Sequence, residues 1–172
     1  FDQDEVIEII AGSLGKIVPY GMISYLMIKN PENMFLKCSV EASINNAFAE
    51  ETKHSMYRAY TTLTGLPFKE SAVKKSICFG AFFDEESKDP VRSHFSIPIF
   101  VNSALVGIIT ATSTKPNIYS EEMVGTLYAI AEQAGSTITN IKNLISEESH
   151  KTHSMLTSIN EGLIMVTTEQ TI

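Results

Sequence analysis

Apolar residues at Val6, Ile9, Ile10, Leu14 and Ile17 recur at helical spacing, so the chain opens with an amphipathic helix that Asp2 or Asp4 caps and Pro19-Tyr20-Gly21 ends. Two β-prone runs follow, residues 22–28 and 34–40, around Asn30-Pro31-Glu32-Asn33. Proline fixes φ and asparagine tolerates the left-handed region, so the four residues are turn chemistry and the pair predicts a hairpin. From 42 to 64 the period changes. Ile44 and Phe48, then Met56, Tyr60 and Leu63, are spaced for one or two helices that Gly65-Leu66-Pro67 closes. This segment crosses over between strands.

Residues 76–83 return to strand, with Ile77, Phe79, Ala81 and Phe83 on one face, and a charged loop at 84–90 follows. Runs at 93–101 and 104–113 flank Asn102-Ser103, a two-residue turn of the kind tight hairpins favour. Gly107 in mid-strand marks a close backbone approach or a bulge, and Pro98 must sit where the ladder needs no N–H. At Ser120, an N-cap followed by Glu121 and Glu122, a long helix begins. Its seam runs Val124, Leu127, Ala131, Ala134, Ile138, Ile141 and Ile145, is diluted at Glu148 and Thr152, and resumes at Met155 and Ile159. Packing on its own sheet accounts for the first half. The second half lies beyond any core the sheet offers, and the 3.5-residue repeat there predicts a partner helix.

The 172 residues, 44% hydrophobic and 19% charged, suit one folded domain with a helical extension and exclude a large multidomain enzyme or a disordered chain. A net charge of -7 lacks the basic footprint of a nucleic-acid binder. Cys38 and Cys78 are too few for a disulfide framework and sit in apolar stretches, which reads as buried reduced thiols and points to the cytoplasm. No run approaches the roughly 18 apolar residues of a membrane span, so no membrane contact is expected of this segment. The chain starts without methionine and stops in an apolar, strand-like run, as a piece of a longer protein would.

The stretch Arg92-Ser93-His94-Phe95-Ser96-Ile97-Pro98-Ile99, then Leu105-Val106-Gly107-Ile108-Ile109, Ser113, Tyr119-Ser120-Glu121-Glu122 and Ile130-Ala131-Glu132-Gln133-Ala134 resembles the GAF domain family. About 45 residues carry this resemblance and the other 70 of the domain follow in pattern only. It implies an α+β fold in which an antiparallel sheet of five to six strands is flanked by the N- and C-terminal helices. A crossover lid would cover the other face, with space for a small molecule between lid and sheet. Further on, Met155-Leu156-Thr157-Ser158-Ile159-Asn160-Glu161-Gly162-Leu163-Ile164-Met165-Val166 is similar to the opening of a PAS domain, although Thr167 and Gln170 stand where that family has an acid and a turn glycine.

Reactive groups are sparse. His150 and His153 with Glu147 have a metal-ligand spacing but no further ligand, so exposed helix residues are the simpler reading. His54 falls in the lid. His94, placed on a central strand, could touch a ligand or a haem iron, though a hydrogen-bonded strand histidine is simpler. No glycine-rich phosphate loop occurs. The Asn-Lys-Phe-Asp-Glu set of cyclic-nucleotide GAF modules and the cysteine of bilin-attaching ones are both missing. No motif identifies a cofactor. The candidate ligand-binding set is Phe48, Met56, Tyr57, Tyr60, Phe79 and Phe82, with Arg58, Arg92 or His94 as polar handles; the alternative is a filled core.

The division expected is a GAF-like sensory domain at 1–146, a coiled-coil signalling linker at 147–160 and the start of a PAS-like domain at 161–172. The reading is a cytoplasmic sensory and dimerising module of a bacterial signalling protein, of histidine kinase or diguanylate cyclase type. It would be a homodimer through its C-terminal helix, with the output enzyme outside this chain and in the same polypeptide. The alternatives are a ligand-free structural GAF module and, because one GAF family uses low-pKa accessible cysteines, a free methionine sulfoxide reductase built on Cys38 and Cys78.

Overall fold

In the computed structural model, residues 9, 12–13, 16–41, 44–80 and 90–168 are described, with side chains to 157. Both faces of the run after Gly21 are apolar, and the chain makes it the middle of a sheet: β1 (Met22–Asn30) is buried from Met22 to Met27. It pairs antiparallel with β2 (Asn33–Val40) across a turn in which the Asn30 side-chain carbonyl accepts from the Glu32 N–H at 2.9 Å. Pro31 pre-sets the first corner of that turn. The crossover is a single helix, α1 (Asn46–Thr64). Asn45 caps its start by accepting from the Phe48 N–H at 2.8 Å, and Gly65 ends it at φ 70 with its N–H on the Thr61 carbonyl.

A 3-10 turn at Glu70–Ala72 leads into β3 (Val73–Phe79). The hairpin β4 (Ser93–Val101) and β5 (Ala104–Ser113) turns on Asn102 and Ser103, at φ 51 and 62. Two consecutive left-handed residues match the twist of tight hairpins. Next to Gly107 the β4/β5 register slips, Ile99 opposing Gly107 and Phe100 opposing Leu105. The glycine thus marks a bulge.

Strand order is β3-β2-β1-β5-β4. The fold is α+β, with a five-stranded mixed sheet, flanking helices and a long C-terminal helix. The fully antiparallel sheet expected from the sequence is corrected in one place: β3 runs parallel to β2. The cause is α1, since a chain that crosses over through a helix re-enters the sheet in the direction it left. A second correction concerns His94, which lies on an edge strand, because among the described residues nothing pairs β4 beyond β5. Pro98 is tolerated for the same reason.

On one face of the sheet α1 buries Phe48, Ala49, Met56 and Tyr60 against Met22, Leu26, Met34, Leu36, Cys38 and Ile108. Each large side chain contributes about 1.5–3 kcal/mol there. The other face carries Ile23, Tyr25, Phe95, Ile97, Ile99, Ile109 and Ala111, all buried. Helix α2 (Glu121–Thr168) starts at Ser120, whose hydroxyl accepts from the Met123 N–H at 3.2 Å. It touches β4 at two backbone carbonyls: the Tyr128 hydroxyl donates to the Ser96 carbonyl at 3.0 Å, and Gly135 lies against the Phe100 carbonyl.

The chain divides into two compact units, residues 1–136 and 137–172. Along α2, Leu127, Ala131 and Ile138 are buried, and every described side chain from 143 to 157 is exposed. The run 162–168, strand-like in the sequence, is helical. Of the expected opening helix, Ile9 and Ile17 are helical but exposed, and Val6, Ile10 and Leu14 lie outside the described residues. Ala81, Phe83 and the 84–89 part of the charged loop lie outside them too.

Candidate functional site

Strand registers place one small polar side chain from each strand in a single row across the sheet: Cys78, Cys38, Ser24, Thr110 and Ser96. The row lies on the face that α1 covers, between an apolar row containing Leu36, Leu26 and Ile108 and a mixed row containing Val40, Met22, Thr112 and His94. Ser24, Thr110 and Thr112 are fully buried, as is Thr52 of α1. Burial of a hydroxyl costs about 1–3 kcal/mol unless a partner is supplied, and each here has one. Ser24 donates to the Cys38 sulfur at 3.6 Å, Ser96 and Thr110 are 2.8 Å apart, and Thr52 meets Thr112 at 2.8 Å. The result is a hydroxyl layer that pins α1 to the sheet.

The structure brings together only part of the set expected from sequence. Phe48, Met56 and Tyr60 are fully buried and fill the space between α1 and the sheet. Tyr57 is half-buried on the outer flank of α1. Phe79 is 52% exposed on the opposite sheet face, with Lys37 Nζ 5.6 Å from its ring centre. Arg92 and His94 are exposed at the β4 end. β3 and β4 are opposite edges of five strands, roughly 19 Å apart at 4.8 Å per strand, so Phe79 and His94 do not line one pocket. Phe82 lies outside the described residues.

A cleft of about 490 Å³ opens on the outer flank of α1, lined by His54, Tyr57, Arg58, Thr61, Phe68 and Glu70 among others. Its floor is aromatic. Tyr57 and Phe68 stack at 3.8 Å with an 11° tilt, and Tyr60 meets Phe68 edge-on at 5.5 Å. Arg58, which donates to Ser55 at 3.2 Å, and Glu70 set opposite charges at the rim. Burial raises the Tyr57 hydroxyl above its ordinary pKa, Lys53 partly opposing it, so the phenol stays neutral. Such a surface suits a planar molecule carrying one charged group. Tyr57 and the handle Arg58 were legible in the sequence; Phe68 was not, since it follows Pro67 in a loop with no periodicity to mark it.

The thiols are neighbours. Cys38 and Cys78 are direct register partners on β2 and β3, and each thiol perturbs the other. Cys38 is buried and Cys78 exposed, which corrects the expectation of two buried cysteines. Exposure follows from the edge position of β3. Although Cys78 is exposed as a residue, its sulfur turns toward Cys38, and desolvation followed by the Cys38 interaction pushes its thiol up to about 12. Burial raises Cys38 as well, with the Ser24 and Cys78 hydrogen bonds opposing. This is the reverse of the low-pKa thiol that sulfoxide reduction requires. Among the described residues no group of three or more His, Cys, Asp or Glu side chains could hold a metal ion. His150 and His153 are exposed on α2, and no helix there is long and apolar enough to cross a membrane.

No family model matches the chain, and no curated protein is significantly similar to it. Solved structures similar to it include GAF domains. A GAF domain of a Synechocystis protein in its photoproduct state is 12% identical with a TM-score of 0.47, covering 84% of this chain and 98% of its own. The GAF domain of a two-component sensor histidine kinase from Bacillus halodurans is 17% identical at a TM-score of 0.45, covering 83% and 97%. A GAF domain/HD domain protein from Geobacter sulfurreducens is 11% identical at 0.45, covering 82% and 94%.

Proposed function

We propose that this chain is a GAF-type sensory and dimerising module of a bacterial signal-transduction protein of histidine kinase or diguanylate cyclase type. Two copies would pair along α2. One observation carries this reading: the seam continues past the buried part of the helix into Ile145 and Met155, which are 47% and 66% exposed, and Leu144 and Leu156 beside them are 62% and 56% exposed. A helix with no buried apolar face is marginal in water, and a second seam of the same spacing supplies the missing surface. Helix α2 is continuous over 48 residues, about 72 Å. A change of packing at Leu127 and Ala131 would therefore travel along it, through the PAS-like start expected at 161–172, toward a downstream output domain in the same polypeptide. The setting would be cytoplasmic.

Sedimentation tests the pairing. The full chain should run as a dimer, and a chain ending at residue 142, which keeps the buried seam positions, should run as a monomer. Equal association states for the two would sink the proposal.

A specific observation favours a second reading in which no ligand exists: Phe48, Met56 and Tyr60 already fill the space under α1. A panel of planar, singly charged metabolites separates the two. A ligand of the outer cleft at 100 times its Kd raises stability by about 2.7 kcal/mol, visible as a higher melting temperature. A panel without any shift leaves the module purely structural.

A further inference from the structure

We propose that Cys38 and Cys78 form a reversible disulfide, a thiol switch that ties the edge strand β3 to the core under α1, with a small-molecule disulfide as oxidant. The two residues are direct partners in the parallel β2/β3 ladder, on the same face of the sheet. Neighbouring strands lie about 4.8 Å apart, inside the Cα separation of roughly 4.4–6.8 Å that a disulfide bridges. The pair is asymmetric in the way an exchange reaction needs. Cys78, on an edge strand, is exposed as a residue although its thiol is partly desolvated, whereas Cys38 is fully buried in the core cluster. The chain has two cysteines in all, so an intrachain bond has one possible pairing.

The chemistry balances in two exchanges. Cys78 gives its proton to solvent, and its thiolate attacks one sulfur of the small disulfide, releasing one small thiolate and leaving a mixed disulfide on Cys78. Cys38 then attacks the Cys78 sulfur. The Cys38–Cys78 bond forms, the bond to the second small group breaks, and the Cys38 proton leaves with that group as a thiol. The two protein thiols are oxidised and the small disulfide is reduced to two thiols. Around the pair stand Ser24 of β1, Lys53 and Glu50 of α1 and the Phe79 backbone N–H. Burial keeps the thiolate scarce, so the exchange belongs to the minutes-to-hours range of uncatalysed disulfide rearrangement.

The inference is independent of the dimer reading and of any ligand. It is tested on the full folded chain by incubation with oxidised glutathione over hours, alkylation of remaining thiols after denaturation, and intact mass measurement. The expected product is a chain two hydrogens lighter, carrying no glutathione, with both thiols lost together and the peptides around 38 and 78 linked. Cys38→Ala should stop at one glutathione on Cys78. Wild-type protein that accumulates the glutathione adduct with Cys38 still alkylatable would overturn the proposal. So would a covalent dimer through Cys78, or two thiols that both stay free. The wild-type arm decides the matter even where the variant fails to fold.

Discussion

Placing glutamate at both Ile145 and Met155 is expected to dissociate the proposed dimer, raising its Kd by at least about a hundredfold, while the melting temperature of the remaining monomer stays within a degree or two. Both side chains are exposed in the single chain, at 47% and 66%, so the body loses nothing when they become polar. In a paired seam each would bury apolar surface worth about 1.5–3 kcal/mol per side chain, and two glutamates per helix would face two of like sign. Every 1.4 kcal/mol is tenfold in Kd, so hundredfold is the conservative figure. Sedimentation equilibrium over a concentration series measures it. A variant as dimeric as the parent would mean that Ile145 and Met155 stay in solvent and that the seam is a surface accident.

The second large effect is a reversal of sign within one helix. Gly135→Ala should destabilise the fold by about 2 kcal/mol, whereas Gly125→Ala in the same helix should stabilise it by about 1 kcal/mol. Alanine relieves the backbone entropy cost of a helical glycine at both sites. At 125 a methyl group meets nothing within 4 Å, and at 135 it collides with the Phe100 carbonyl of β4. A backbone oxygen cannot move aside as a flexible side chain does, and overpacking costs typically 1–3 kcal/mol. In thermal melts the two variants should part on either side of the parent, with Gly135→Ala lower by about 5 °C. If Gly135→Ala melts higher than the parent, α2 does not lie against the β4 edge.

Local chemistry was the legible part of the sequence. Asn30-Pro31, Gly65, Asn102-Ser103 and Ser120 each act within a few residues of themselves, through a fixed φ, a left-handed corner or a cap, and the elements they bound fall where their patterns place them. Pairing between distant segments was not legible. Nothing in the residues 73–79 says that this strand joins β2 in parallel or that it stands at an edge, and for that reason Cys78 and Phe79 were read as interior. The polar row from Cys78 to Ser96 is invisible for the same cause: its five members are one per strand, and only the register lines them up. The candidate ligand set suffered most, because aromatic residues at helical spacing look alike whether they line a space or fill it. Phe48, Met56 and Tyr60 fill it.

The parallel partnership of β2 and β3 has a consequence for how the chain reaches its native state. The β1/β2 and β4/β5 ladders close over turns of a few residues, so they can zip early and cheaply. β3 meets its neighbour only after the excursion through α1, and the loop entropy of that detour is paid before any of its contacts return it. Both long-range junctions of the sheet should therefore form after the hairpins, β3 on β2 across about 40 residues and β5 on β1 across 80 to 90, and the side chain of Cys38 is left uncovered on the β3 flank until that strand comes.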